Sequence, residues 1–154
     1  MKKLLTLFVC LAFVIGVSAI SQKDEKIPAA AKTGFAAKFP TAQKVKWSIE
    51  KPGEFEAEFT LNGIETSALV DAKGTLLETE TEMKVKELPQ TLKATLAKDF
   101  TEYKFDEIEK ATDAKGVTTF EMEAAKGKDK LEISFDVNGK LLTKKPIKEG
   151  KEKD

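Results

Sequence analysis

The 154-residue chain contains no histidine and no arginine, and it has one cysteine, one tryptophan and one tyrosine. Each shortage closes off some chemistry. Without histidine there is no imidazole base for a Ser- or Cys-centred triad. With no histidine and one cysteine, the usual ligands of a zinc site are missing. No glycine-rich phosphate loop or dinucleotide fingerprint occurs, because the nine glycines stand apart from one another in turn-like contexts. The 26 basic and 26 acidic residues balance, so there is no basic footprint for nucleic acid. The expectation is a protein without catalytic residues, metal site or cofactor.

The N-terminus differs from the rest. Lys2 and Lys3 precede an apolar run from Leu4 to Val17, and Val17-Ser18-Ala19 places small residues at the positions a signal peptidase reads. The run is shorter than the ~20 residues a membrane span needs. We read 1–19 as a removable signal, cut after Ala19, with a periplasmic or secreted mature protein and no remaining membrane span. Cys10 raises a lipoprotein alternative, but Val9 precedes it and the apolar run continues past it, so an ordinary signal residue is the preferred reading. Cleavage removes the only cysteine and with it any disulfide. Losing Lys2 and Lys3 from the 26 basic residues leaves 24 against 26 acidic, a net charge of −2.

The remainder repeats itself. Ile27-Pro28, Phe35 and Phe39 match Leu88-Pro89, Leu96 and Phe100 at an offset of 61. Phe55-Glu56-Ala57-Glu58 matches Phe120-Glu121-Met122-Glu123, and Asp71 to Leu77 matches Asp136 to Leu142, at an offset of 65. The four extra residues fall around Asp113 to Thr119. Two constant offsets around one insertion are the pattern of a tandem duplication.

Each copy opens with proline at the expected first helical position, where no hydrogen bond is lost. Apolar residues then recur every four positions, as Ile27, Ala31, Phe35, Phe39 and as Leu88, Leu92, Leu96, Phe100. After Pro40 the period changes to two. Val45, Trp47 and Ile49 alternate with Lys44, Lys46 and Ser48, and Phe55, Ala57, Phe59 and Leu61 alternate with Glu54, Glu56, Glu58 and Thr60. Asn62-Gly63 signals a two-residue hairpin. Strands are expected over Ile64 to Val70 and Leu76 to Met83, with counterparts in the second copy; its first strand, near Phe105 to Ala111, has the weakest pattern. The expected organisation is a linker at 20–26, a first repeat at 27–83, a short linker at 84–87, a second repeat at 88–143 and a charged, disordered tail at 144–154. The fold class is α+β: two α-β-β-β-β repeats, their antiparallel strands in one sheet or two, with helices on one face and an open polar face on the other. A module of ~60 residues is marginal alone, so the copies should lie against each other.

The arrangement Ile27-Pro28, Phe35, Phe39-Pro40, Val45, Trp47, Phe55-Glu56-Ala57-Glu58-Phe59 and Asp71-Ala72-Lys73-Gly74 resembles the β-lactamase-inhibitor-like, PepSY-like family of exported bacterial proteins. The resemblance spans nearly the whole mature chain and rests on structural signatures. It implies kinship with inhibitors that bind an enzyme through a sheet surface, and with domains found beside peptidases. It implies no catalytic residue. The second copy departs from the pattern, with Ile108 where the first has Trp47 and four residues inserted.

Carboxylates remain. Glu54, Glu56 and Glu58 share a strand face, and Glu78, Glu80 and Glu82 are expected to share another. Such rows can bind calcium or supply a glycosidase acid and base. The reading we prefer is a solvated strand face, flat enough to leave carboxyl pKa values near normal, with Lys44 and Lys46 pairing across strands. Trp47 is expected to pack under the helix rather than act as an exposed anchor. The Asp71–Gly74 and Asp136–Gly139 segments look like hairpin turns rather than calcium loops. The function expected is an exported, non-enzymatic binding module that engages, and in one version inhibits, an unknown protein partner of the envelope or cell exterior. Its contact residues would be Lys44, Lys46, Glu54, Glu56, Glu58, Glu121 and Glu123. The alternative is an envelope protein that binds cations with its glutamate rows.

Overall fold

The computed structural model describes residues 26–147. The expected leader, its Ala19 cleavage point, Cys10 and the segment 148–154 lie outside them. The described chain runs α1 (Ala29–Lys38), β1 (Gln43–Lys51), β2 (Glu54–Leu61), β3 (Ile64–Asp71) and β4 (Leu76–Glu82). A 3₁₀ turn at Val85–Glu87 follows, then α2 (Gln90–Asp99), β5 (Lys104–Asp113), β6 (Thr118–Lys126), β7 (Asp129–Asp136) and β8 (Leu141–Pro146). All eight strands form one antiparallel sheet in the order β1 to β8. The expected α+β class and the single continuous sheet are present, and both helices pack on one face of it. β8 takes Lys144, Lys145 and Pro146 out of the segment expected to be a disordered tail.

The helices start one residue later than expected. Pro28 and Pro89 have ψ of 140° and 146°, extended rather than helical, so they cap the helices instead of opening them. Their carbonyls accept the first helical bonds, from the Lys32 and Lys93 N–H groups. Phe39 ends α1, as the proline after it requires.

The apolar stripes pack onto one sheet face. In the second half Leu88, Leu92, Leu96 and Phe100 meet Ile108, Phe120, Met122, Ile133 and Phe135, all buried. The first half is more aromatic. Phe35 stacks edge-on against Trp47 and Phe59, with centroids 5.3 and 4.9 Å away. Trp47 therefore packs under the helix, as expected. Its neighbours Val45 and Ile49 do not: they are 37% and 44% exposed, because β1 is an edge strand that no second strand covers.

Backbone approach differs between the halves. Gly74, at φ +86°, lies against the Ala30 carbonyl and Gly34, so a Cβ on either glycine would strike backbone. In the second half Thr95 stands where Gly34 would be, and its hydroxyl donates to the Gly139 carbonyl at 3.0 Å. One half closes by bare contact and the other by a hydrogen bond.

The turns are built on aspartate. Asp71 Oδ1 accepts from the N–H groups of Lys73 and Thr75, both at 2.8 Å. Asp136 does the same for Asn138 and Lys140. Each carboxylate is turned into its own loop, which is the hairpin geometry rather than a calcium loop. The β5–β6 turn is built the same way: Asp113 Oδ1 accepts from the N–H groups of Lys115 and Val117, and Gly116 takes φ +79°.

Candidate functional site

Residues paired across antiparallel strands share a face, so the register defines what lies opposite the helices. One row runs Lys46, Glu58, Ser67, Glu80, Ala111 and Thr119 from β1 to β6. Beside it lies Glu82, Glu109, Glu121, Ser134 and Thr143 from β4 to β8. On the other flank are Ser48, Glu56, Leu69 and Glu78. Glu123 pairs with Asp106 and Glu132, and Glu132 with Lys145. Glu54 is held at the margin by an ion pair with Lys51 at 3.0 Å.

The face is not the solvated surface expected. Glu56 and Glu80 are 3% and 7% exposed, with no layer of helix above them. Neighbouring side chains on a crowded sheet exclude the water. Three glutamates in line, Glu82, Glu109 and Glu121, place like charges on adjacent strands, which is unfavourable. Lys44 and Lys46 do not relieve this. Both are exposed, and the β1–β2 register shifts between Gln43 and Lys46, with Lys44 at φ 55°. The ion pair that forms on these strands belongs to Lys51.

Protonation follows from burial and crowding. Burial, then Glu109, pushes Glu80 up to about 8, against an opposing bond from the Ser67 hydroxyl, which donates at 3.0 Å. Burial raises Glu56 to about 7 although the Ser48 hydroxyl donates to it at 3.1 Å. Glu109 and Glu121 each rise to about 7, through burial and then through Glu121 and Glu78 respectively. Burial also raises Glu78, Glu107 and Glu132. The centre of this face is a mixture of carboxylic acids and carboxylates near neutral pH.

A serine stands directly opposite a glutamate four times: Ser48–Glu56, Ser67–Glu58, Ser67–Glu80 and Ser134–Glu121. Ser48 donates to Glu56 and Ser67 to Glu80. Glu121 accepts from the Thr119 hydroxyl rather than from Ser134. Ser134 Oγ is buried without a partner, as is Glu56 Oε1.

Of the contact residues expected from sequence, Glu56, Glu58 and Glu121 belong to this central field. Lys46 and Glu123 rim it, while Glu54 and Lys44 stand at the β1 edge. Glu109, Ser67 and Ser134 were missed. Glu109 was hidden by a bulge: Glu107 takes φ 49° and the β5–β6 register shifts between Asp106 and Glu109. This turns Glu109 and Ala111 to the acidic face and puts Ile108 in the core. Among the described residues no three acids converge closely enough to hold a metal ion, so the cation-binding alternative has no preformed centre. No described helix is long and apolar enough to cross a membrane.

No protein-family model and no curated protein matches the chain. Solved structures do. A candidate periplasmic protein from Bacteroides eggerthii superposes with a TM-score of 0.73 at 18% identity, covering 78% of this chain and 88% of that one. A DUF2874 family protein from Bacteroides uniformis gives 0.72 at 20%, covering 77% and 88%. A BLIP-like protein from Bacteroides fragilis gives 0.69 at 23%, covering 82% and 92%. The likeness is one of fold. It agrees with the β-lactamase-inhibitor-like part of the resemblance, while none of the three carries the PepSY name.

Proposed function

We propose that this is an exported, non-catalytic binding module that engages a protein partner through the sheet face opposite its helices. The observation that carries the reading is the uncovered acidic field itself. Crowded, half-dehydrated carboxyls cost folding free energy, and a fold carries such a cost most readily where the groups serve a contact. The shared fold with a BLIP-like protein supports a sheet-borne interface by analogy. The signal at 1–19, the periplasmic or secreted location and the duplication of a helix-plus-four-strands unit belong to the same reading. The candidate periplasmic neighbour and the helix-then-four-strands order in both halves support it.

Catalysis is the weaker reading despite the raised carboxyls. A glycosidase needs one acid held high and its partner left ionised. Here Glu56, Glu80, Glu109 and Glu121 rise together, since each is pushed by burial and by its neighbours.

Single cysteines carrying a photo-cross-linker test the reading cleanly, because the mature chain has none of its own. Probes at Lys46 and Glu123 should capture an envelope or extracellular protein that probes at Thr33 and Ala97, on the helices, do not. Capture from the helix side alone would overturn the assignment.

A further inference from the structure

We propose that the carboxyl field centred on Glu80, Glu109 and Glu121 receives lysine or arginine side chains from the partner. This rests on the protein-binding reading above and adds the chemistry of the occupant. Two independent observations support it. The first is charge. Glu82, Glu109 and Glu121 stand in one cross-strand row beside Glu80, and the lysines of this face lie around its margin: Lys46 and Lys51 on β1, Lys104 at the start of β5, Lys130 on β7 and Lys145 on β8. Between β3 and β6 neither of these two rows carries a lysine to offset the acids, whereas guanidinium or ammonium groups arriving from outside would. The second is an unmet hydrogen-bonding demand. Ser134 Oγ and Glu56 Oε1 are both more than nine-tenths buried and have no protein partner. Ser134 sits directly opposite Glu121, so a donor seated there would reach the carboxylate and the hydroxyl together.

Binding would be linked to protons. The groups that act on Glu80 are Glu109 from β5, Ser67 from β3, Glu121 from β6 and Glu78 on its own strand; Ser48, Glu58, Glu50 and Glu109 act on Glu56. The groups that act most on these two are carboxyls and hydroxyls, whereas Lys145 acts on Glu121 and Glu132 and Lys130 on Glu107. Part of this field is protonated near neutrality, so an entering cation must displace protons. Affinity should therefore rise with pH.

The test is calorimetry of hexalysine binding to the mature protein at pH 6 and pH 8, in buffers of different ionisation enthalpy. Binding should tighten about ten-fold between the two, with net proton release near pH 7. The Glu80→Gln/Glu121→Gln double variant should lose about ten-fold in affinity at pH 8 and most of the proton release. Asp99→Asn, on the helix side, should change neither. The glutamine variants relieve repulsion, so they should fold at least as well as wild type; circular dichroism checks this. Equal affinity at both pH values, absence of proton release, or a double variant that binds like wild type would overturn the proposal. So would millimolar calcium releasing heat where hexalysine gives none. A partner cross-linked at this face through a surface without lysine or arginine would sink the cationic assignment alone, whereas capture only from the helices would sink the binding face as well.

Discussion

Replacing Glu80 by glutamine should make the protein more stable, and only at the alkaline end. Glu80 is 7% exposed, and burial holds its carboxyl at about 8 against an ordinary 4.5. The native state therefore binds this proton more tightly than the unfolded chain does. The stability it confers is complete below the unfolded value and is lost as pH climbs toward 8. Between pH 5 and pH 8 the loss for this one group comes to about 3 kcal/mol, a large fraction of the stability of an ordinary domain. Glutamine keeps the shape, keeps an acceptor for the Ser67 hydroxyl and cannot ionise. Urea denaturation should show wild type losing stability from pH 5 to pH 8. Glu80→Gln should match it within ~0.5 kcal/mol at pH 5 and exceed it by about 3 kcal/mol at pH 8. Wild-type stability that rises over that interval, or a variant destabilised at pH 8, would mean that the carboxyl is solvated after all.

Other substitutions probe the frame. Gly34→Ala drives a methyl into the Gly74 backbone and should cost about 2 kcal/mol or more in denaturant midpoint, whereas Thr95→Ala in the other half loses one hydroxyl bond and should cost about 1 kcal/mol. Phe35→Ala removes the ring that meets Phe39, Trp47 and Phe59; a loss of about 3–5 kcal/mol is expected, with tryptophan emission shifted to the red. Ser134→Ala deletes a buried hydroxyl that has no partner, so thermal unfolding should show a neutral change or a gain of about 1 kcal/mol while hexalysine affinity falls.

The sequence was most readable where periodicity and special backbone angles coincide. Apolar residues at every fourth position placed both helices on the core, and Asn62-Gly63 turned as read, with φ of 53° and 83°. What could not be read was set by bulges and by neighbours in space. The irregularity at Glu107 changes which alternating set of β5 faces the acids, and nothing in the alternation of Phe105 to Ala111 announces it. The same holds for burial. A row of alternating glutamates has one pattern whether water reaches it or not. That Glu80 is buried follows from Ser67 on β3 and Glu109 and Glu121 on β5 and β6, which only the strand order brings together.

That strand order also sets how the two halves meet. Their cores are separate: Ile27, Phe35, Phe55 and Val70 pack under α1 and Leu92, Phe120, Ile133 and Phe135 under α2. Between them, on the helix side, Thr79 faces Thr112 and Thr81 faces Lys110, a seam with little apolar surface to bury. The halves are joined by backbone, through the β4–β5 ladder, and at that ladder the acids are densest. Glu80 and Glu82 come from one half, Glu109 and Glu121 from the other. The acidic field is therefore not carried twice, once per half; it exists once, where the two edges meet.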